Sequence, residues 1–139
     1  MGFETARVAL VTKCEALRAA WAGGYTLLVS YDNAEKVDTS NLANPYLKVC
    51  LEYADGFQVD LAANPRHRIL GYIKLEAVDK EGAGISKSNT LLSYFYSALQ
   101  MKDAYVPLRT RAAVPMGSKR ANGLVTTTVA IPFWYDDIT

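Results

Sequence analysis

Apolar residues recur at three- and four-residue steps at the start of the chain, at Phe3, Ala6, Leu10, Cys14, Leu17 and Trp21. That spacing is one stripe of an amphipathic helix, and Arg7, Lys13, Glu15 and Arg18 fall mostly off it. Gly23-Gly24 ends the helix, because glycine leaves a helical path at little steric cost. The period then changes to two. Residues 26–31 (TLLVSY) predict a short strand, and residues 32–44 are polar enough to predict a loop. Pro45 opens the next strand, where Leu47, Val49 and Leu51 alternate with Lys48, Cys50 and Glu52. One buried and one solvated face favour an antiparallel setting.

Residues 54–65 (ADGFQVDLAANP) predict a connection, with Asp55-Gly56 and Asn64-Pro65 as turn signals. The longest strand candidate covers residues 66–78. Ile69, Gly71, Ile73, Leu75 and Ala77 share one of its faces, and Arg68, Leu70, Tyr72, Lys74 and Glu76 share the other. A turn over residues 80–84 leads to a second helix with Ser86 or Ser88 as its cap and Ile85, Leu92, Phe95, Tyr96 and Leu99 as its stripe. Strands over residues 105–114 and 124–134 close the chain, joined by a hairpin loop at residues 117–123 (GSKRANG). The order α-β-β-β-α-β-β predicts an α+β fold, with two helices packed on a largely antiparallel or mixed sheet.

Length and composition agree with this reading. The chain has 139 residues, close to the commonest size of one domain, and carries no repeat or linker, so residues 1–139 are expected to form a single domain. Half the residues are hydrophobic and 21% are charged, which excludes a disordered or coiled-coil chain. No apolar run approaches the roughly 18 residues of a membrane span, and the first residues lack a signal core, so a soluble, unprocessed chain is expected. Cys14 and Cys50 lie in apolar patterns without metal-ligand spacing and are expected to be free thiols.

Candidate chemistry is sparse. His67 is the sole histidine and belongs to a basic run, Arg66-His67-Arg68, with no spaced partners for a metal or a nucleophile. Gly82 to Ser88 superficially resembles a phosphate loop, but Lys87 follows Ser86 where that pattern requires glycine. Asp136 and Asp137 are expected to form a solvated or docking tail rather than an acid/base pair. No catalytic residue, cofactor site or metal site is predicted, and the chain is not expected to be an enzyme.

Charge is more informative. The net charge is +1, yet residues 104–135 carry Arg109, Arg111, Lys119 and Arg120 and no acid at all. Such a cluster suits nucleic-acid phosphates, a solvated face or an acidic protein surface. Tyr72, Tyr94, Tyr105 and Tyr135 add aromatic area of the kind enriched in interface cores.

Several stretches in order carry a family likeness: PYLKVCLEY, DGFQVDLAANPRHRILGYIKLEAV, the turn KEGAGISKSN, the helix TLLSYFYSAL and the closing GLVTTTVAIPFWYD. With the N-terminal helix, this pattern resembles the tail terminator proteins of long-tailed bacteriophages, in the minor tail protein family that includes the lambda-like terminators. Arg66, Arg68 and Gly71 match the family's basic residue before a glycine in the long strand. Lys80-Glu81-Gly82 departs from its Pro-Gly-rich turn.

The resemblance implies a structural virion protein at the tail-neck junction, assembled in the host cytoplasm. It implies a homo-hexameric ring that caps the tail tube, ends its polymerisation and offers a head-joining surface. The implied partners are other copies of the chain, the tail tube protein, a head-completion or neck protein, and phage DNA passing through without sequence-specific binding. Expected contact residues are Gln58, Asp60, Arg66 and Arg68, with an ion pair from Asp60 to a neighbouring subunit's arginine. A second set, Arg109, Arg111, Lys119 and Arg120, faces the tube or lines the channel. The rival readings are another ring-forming neck or head-completion connector, and a nucleic-acid-binding α+β module.

Overall fold

A computed structural model describes residues 3–31, 42–58, 66–100 and 108–138. The opening stripe forms helix α1 (Phe3–Ala19), along which Ala6, Leu10 and Cys14 are buried. Burial pushes the Cys14 thiol up to about 12, and it forms no disulfide with the half-buried Cys50. Strand β1 (Val29–Tyr31) is shorter than the predicted 26–31, although Leu27 is buried just ahead of it. α1 is tied to β1 by polar contacts. The Tyr31 hydroxyl donates to Glu15 Oε1 at 2.7 Å, and Arg18 Nε donates to Glu15 Oε2 at 2.7 Å. These bonds, led by that from Tyr31, lower the Glu15 pKa.

Strands β2 (Tyr46–Gln58) and β3 (Arg66–Lys80), helix α2 (Ser86–Leu99), and strands β4 (Arg109–Thr110), β5 (Val114–Ala121) and β6 (Leu124–Ile138) follow. The fold is α+β: two helices and a mixed sheet of six strands in the order β1-β2-β3-β6-β4, with β5 also paired to β6. β1 runs parallel to β2, and every other pairing is antiparallel.

The spine is the β3–β6 ladder, unbroken from Arg66 opposite Ile138 to Lys80 opposite Leu124. Its register sets the alternations of the two strands against each other, pairing Ile69, Ile73, Leu75 and Ala77 with Tyr135, Ile131, Val129 and Thr127. Leu47 and Val49 of β2 join the same face opposite Ala77 and Leu75. Both helices cover that face, α2 with Ser88, Leu91, Leu92, Phe95 and Leu99 buried. Fully burying a side chain such as Leu91 or Phe95 contributes roughly 1.5–3 kcal/mol.

Gly71 has a steric role in this ladder. A Cβ there would collide with the Glu52 carbonyl oxygen and lie 2.8 Å from the Phe133 ring. Phe133 and Tyr53 occupy the freed space edge to face, with centroids 5.9 Å apart.

Four expectations change. Residues 54–58 extend β2 instead of forming a connection: Asp55 and Gly56 pair with Leu70 and Ile69 after a register shift beyond Tyr53. A bulge there absorbs one residue and keeps the ladder running. The expected loop at 117–123 is mostly strand β5, and the reversal is confined to Asn122 and Gly123, with φ of 54° and 76°. Two consecutive residues of positive φ match the twist of a tight hairpin. Of the single strand expected at 105–114, residues 105–107 lie outside the described residues and the rest contributes β4 and the first residue of β5, because the 15 residues of β6 offer room for two partners. Finally, α2 begins after Ile85, which is 46% exposed, with no side-chain cap bond, while Leu91 takes the buried place expected of Ile85.

Candidate interaction surface

Alternation leaves the second face of the sheet uncovered by either helix, and it carries Lys48, Glu52, Tyr72, Lys74, Glu76 and Trp134. Tyr72 is 43% exposed. Lys74 Nζ sits 3.1 Å from Glu52 Oε1 across the β2–β3 pair, and that carboxylate raises the lysine pKa. This face mixes charged and aromatic residues with the buried Tyr46, Val78 and Ala130.

Its most structured part centres on Trp134. Arg68 stands directly opposite Asp136 in the β3–β6 register and donates two hydrogen bonds, Nε to Oδ1 at 2.9 Å and Nη2 to Oδ2 at 3.2 Å. The bond to this carboxylate raises the Arg68 pKa. The same guanidinium lies 4.1 Å from the Trp134 ring centroid, and Arg109, opposite Trp134 on β4, lies 4.9 Å from it. β3 and β4 flank β6, so the two arginines reach the indole from its two neighbouring strands. Each contact is a cation–π interaction, which orients the guanidinium over the ring while Arg68 turns its Nε and Nη2 edge to Asp136.

The structure therefore unites Arg68 and Arg109, which belong to separate sets in the sequence, and adds Trp134 and Asp136. Asp136 lies in a strand rather than in the expected solvated tail, because β6 continues to Ile138. The remaining basic residues lie farther along the same edge. Arg111 is exposed, and its backbone N–H donates to the Pro132 carbonyl at 2.9 Å. Lys119 stands opposite Thr126 on the uncovered face, and Arg120 stands opposite Val125 on the helix side. There the hairpin overhangs the start of α2 and encloses a recess of about 480 Å³ lined by Lys80, Gly82, Gly84, Ile85, Ser118, Arg120 and Val125. Arg120 Nη1 lies 3.6 Å from Glu81 Oε1 at its rim.

Of the other expected contact residues, Gln58 pairs with His67 in the β2–β3 ladder and Arg66 with Ile138 in the β3–β6 ladder. Asp60 lies outside the described residues, and so does Tyr105. Tyr135 is buried rather than exposed, since the odd positions of β6 face the helices. Tyr94 is half-buried against Trp21, its hydroxyl donating to the Leu17 carbonyl at 2.7 Å.

No protein-family model matches the chain, and no curated protein sequence does. Among solved structures that resemble it is one whose printed name describes no role. It is 18% identical, covers 98% of this chain and 95% of its own, and superposes with a TM-score of 0.67. That likeness is one of fold. Among the described residues, no helix is long and apolar enough to cross a membrane.

Proposed function

We propose that this chain is a structural virion protein of a long-tailed bacteriophage, a tail terminator whose copies form a hexameric ring on the end of the tail tube. The ring ends tube polymerisation and provides the surface to which the head joins. The observation that supports this reading is the division of the sheet. Both helices cover one face, while the other face carries Arg68, Trp134 and Asp136, with Arg109 beside them and the whole of β5 exposed at its edge. Preorganised aromatic and guanidinium groups on rigid strands suit a repeated protein contact. The order of sequence motifs along nearly the whole chain supports the same assignment.

Electron microscopy of particles from the encoding phage, with a stop codon in this gene, tests the proposal. Overlong tubes without heads are the expected result. Tails of normal length beside separate heads assign the chain to a connector of the neck instead.

The stacked arginines on Trp134 favour one second reading, a module that binds nucleic acid through basic and aromatic groups. It predicts binding to DNA that weakens steeply with salt, whereas ring formation depends on protein concentration.

A further inference from the structure

The two arginines stacked on Trp134 differ in one respect. Arg68 also holds the Asp136 carboxylate, through hydrogen bonds of 2.9 and 3.2 Å. Among the described residues no carboxylate pairs with Arg109, and none pairs with Arg111. Both belong to a firmly mounted segment. Leu108 and Thr110 are buried, and the Thr110 hydroxyl donates to the Leu99 carbonyl. The Ala113 N–H donates to Gln100 Oε1 at 2.8 Å. Arg109 and Arg111, the alternate positions, are exposed. The bond from the Arg111 N–H to the Pro132 carbonyl extends the β4–β6 register by one residue, so Arg111 stands opposite Pro132 as Arg109 stands opposite Trp134. Strand alternation places both on the face turned away from the helices, with Cα atoms roughly 7 Å apart.

Charge complementarity identifies what completes this pair. Residues 104–135 contain no acid to offset the two arginines. Asp136 on Arg68 shows how a carboxylate meets a guanidinium stacked on this indole, and Arg109 approaches the ring from the neighbouring strand on the other side. We infer that Arg109 and Arg111 form a docking site for an extended acidic segment of a partner protein, one whose carboxylates stand two residues apart. Side chains two apart on a strand share the spacing of the two arginines, so one carboxylate meets each guanidinium. A nucleic acid fits the site less well. Single strands bind by stacking bases on open aromatic faces, whereas Trp134 already carries a guanidinium from each of its two neighbouring strands. The net charge of +1 also supplies no broad field for phosphates. The inference goes beyond the ring reading, since it names the chemistry of a partner and holds for any number of copies.

Two-dimensional NMR of the full chain at low salt tests this, by titration with a short peptide that alternates glutamate and threonine. Oligodeoxythymidine of equal charge is the competing probe. Saturable shifts are expected at the Arg109 and Arg111 amides and at the Trp134 indole N–H, with tighter binding of the peptide than of the oligonucleotide. Arg109→Gln is expected to weaken the peptide at least fivefold. Arg109→Lys is expected to weaken it at least threefold, because lysine keeps the charge and loses the planar fork. Arg120→Gln removes the same charge on the helix side and is expected to change the affinity less than twofold. An unchanged unfolding midpoint checks that each variant is folded. Peptide shifts that do not saturate or that centre elsewhere overturn the inference, as do tighter binding of the oligonucleotide and equal weakening by Arg120→Gln. Each of these leaves the ring reading standing, and tube ends that stay bare while the peptide binds overturn the ring and leave the docking site.

Discussion

At Gly71 a single hydrogen atom decides whether two aromatic rings fit. The Glu52 carbonyl and the Phe133 ring occupy the space a methyl group would need, and both belong to strands fixed by long ladders. Neither can retreat without breaking cross-strand pairs. Gly71→Ala is therefore expected to destabilise the protein by about 1–3 kcal/mol, the usual range for overpacking, and Gly71→Val by more. Urea unfolding monitored by tryptophan fluorescence measures the difference. Glu15 is the second informative residue. Its folded pKa is depressed below the ordinary 4.5, chiefly by the Tyr31 hydroxyl and then by Arg18. The depressed carboxylate stabilises the fold above pH 4.5, and that contribution disappears as pH falls through the lowered folded value. Because the side chain is 40% exposed, water screens the effect to roughly 0.5–1 kcal/mol. Glu15→Gln is expected to be less stable than the wild type at pH 7 by that amount, and the gap is expected to close progressively as pH falls below 4.5.

Among the elements, the β5–β6 hairpin depends on Asn122 and Gly123 holding positive φ. Gly123→Ala places a Cβ in the left-handed region, which costs about 1–2 kcal/mol. Amide exchange in β5 is expected to accelerate while exchange in the β3–β6 ladder stays unchanged, because among the described strands β5 pairs with β6 alone and it contributes no buried residue. The same contrast explains which elements were legible in the sequence. β3 announces itself through alternation sustained from Ile69 to Ala77, and α1 through a stripe from Ala6 to Cys14. β5 has no such signal, since Val-Pro-Met-Gly-Ser-Lys-Arg-Ala is exposed on both faces and obeys only the backbone pairing supplied by β6. Asp55-Gly56 is a turn signal in isolation, yet the β2–β3 ladder overrides it with a bulge. The partnership of Arg68 with Asp136 spans 68 residues of sequence. No local pattern encodes it, and it follows only once the register of β3 on β6 is known.

At the scale of the whole molecule, the sheet separates two tasks. Its inner face, with both helices, holds the fold together through Ile73, Leu75, Phe95, Ile131 and Phe133. Its outer face and basic edge present arginines and Trp134 held in place by strand geometry. Substitution at Arg109 or Lys119 is accordingly expected to leave the unfolding midpoint nearly unchanged while weakening assembly, whereas Phe95→Ala is expected to cost about 3–5 kcal/mol and to remove assembly through loss of the fold. The most direct measurement of the proposed role adds the purified chain to polymerising tail tube protein and images the tubes by electron microscopy. The account predicts tubes that stop growing and carry a ring on one end. Tubes of the same length distribution with and without the chain, and bare at both ends, would contradict it.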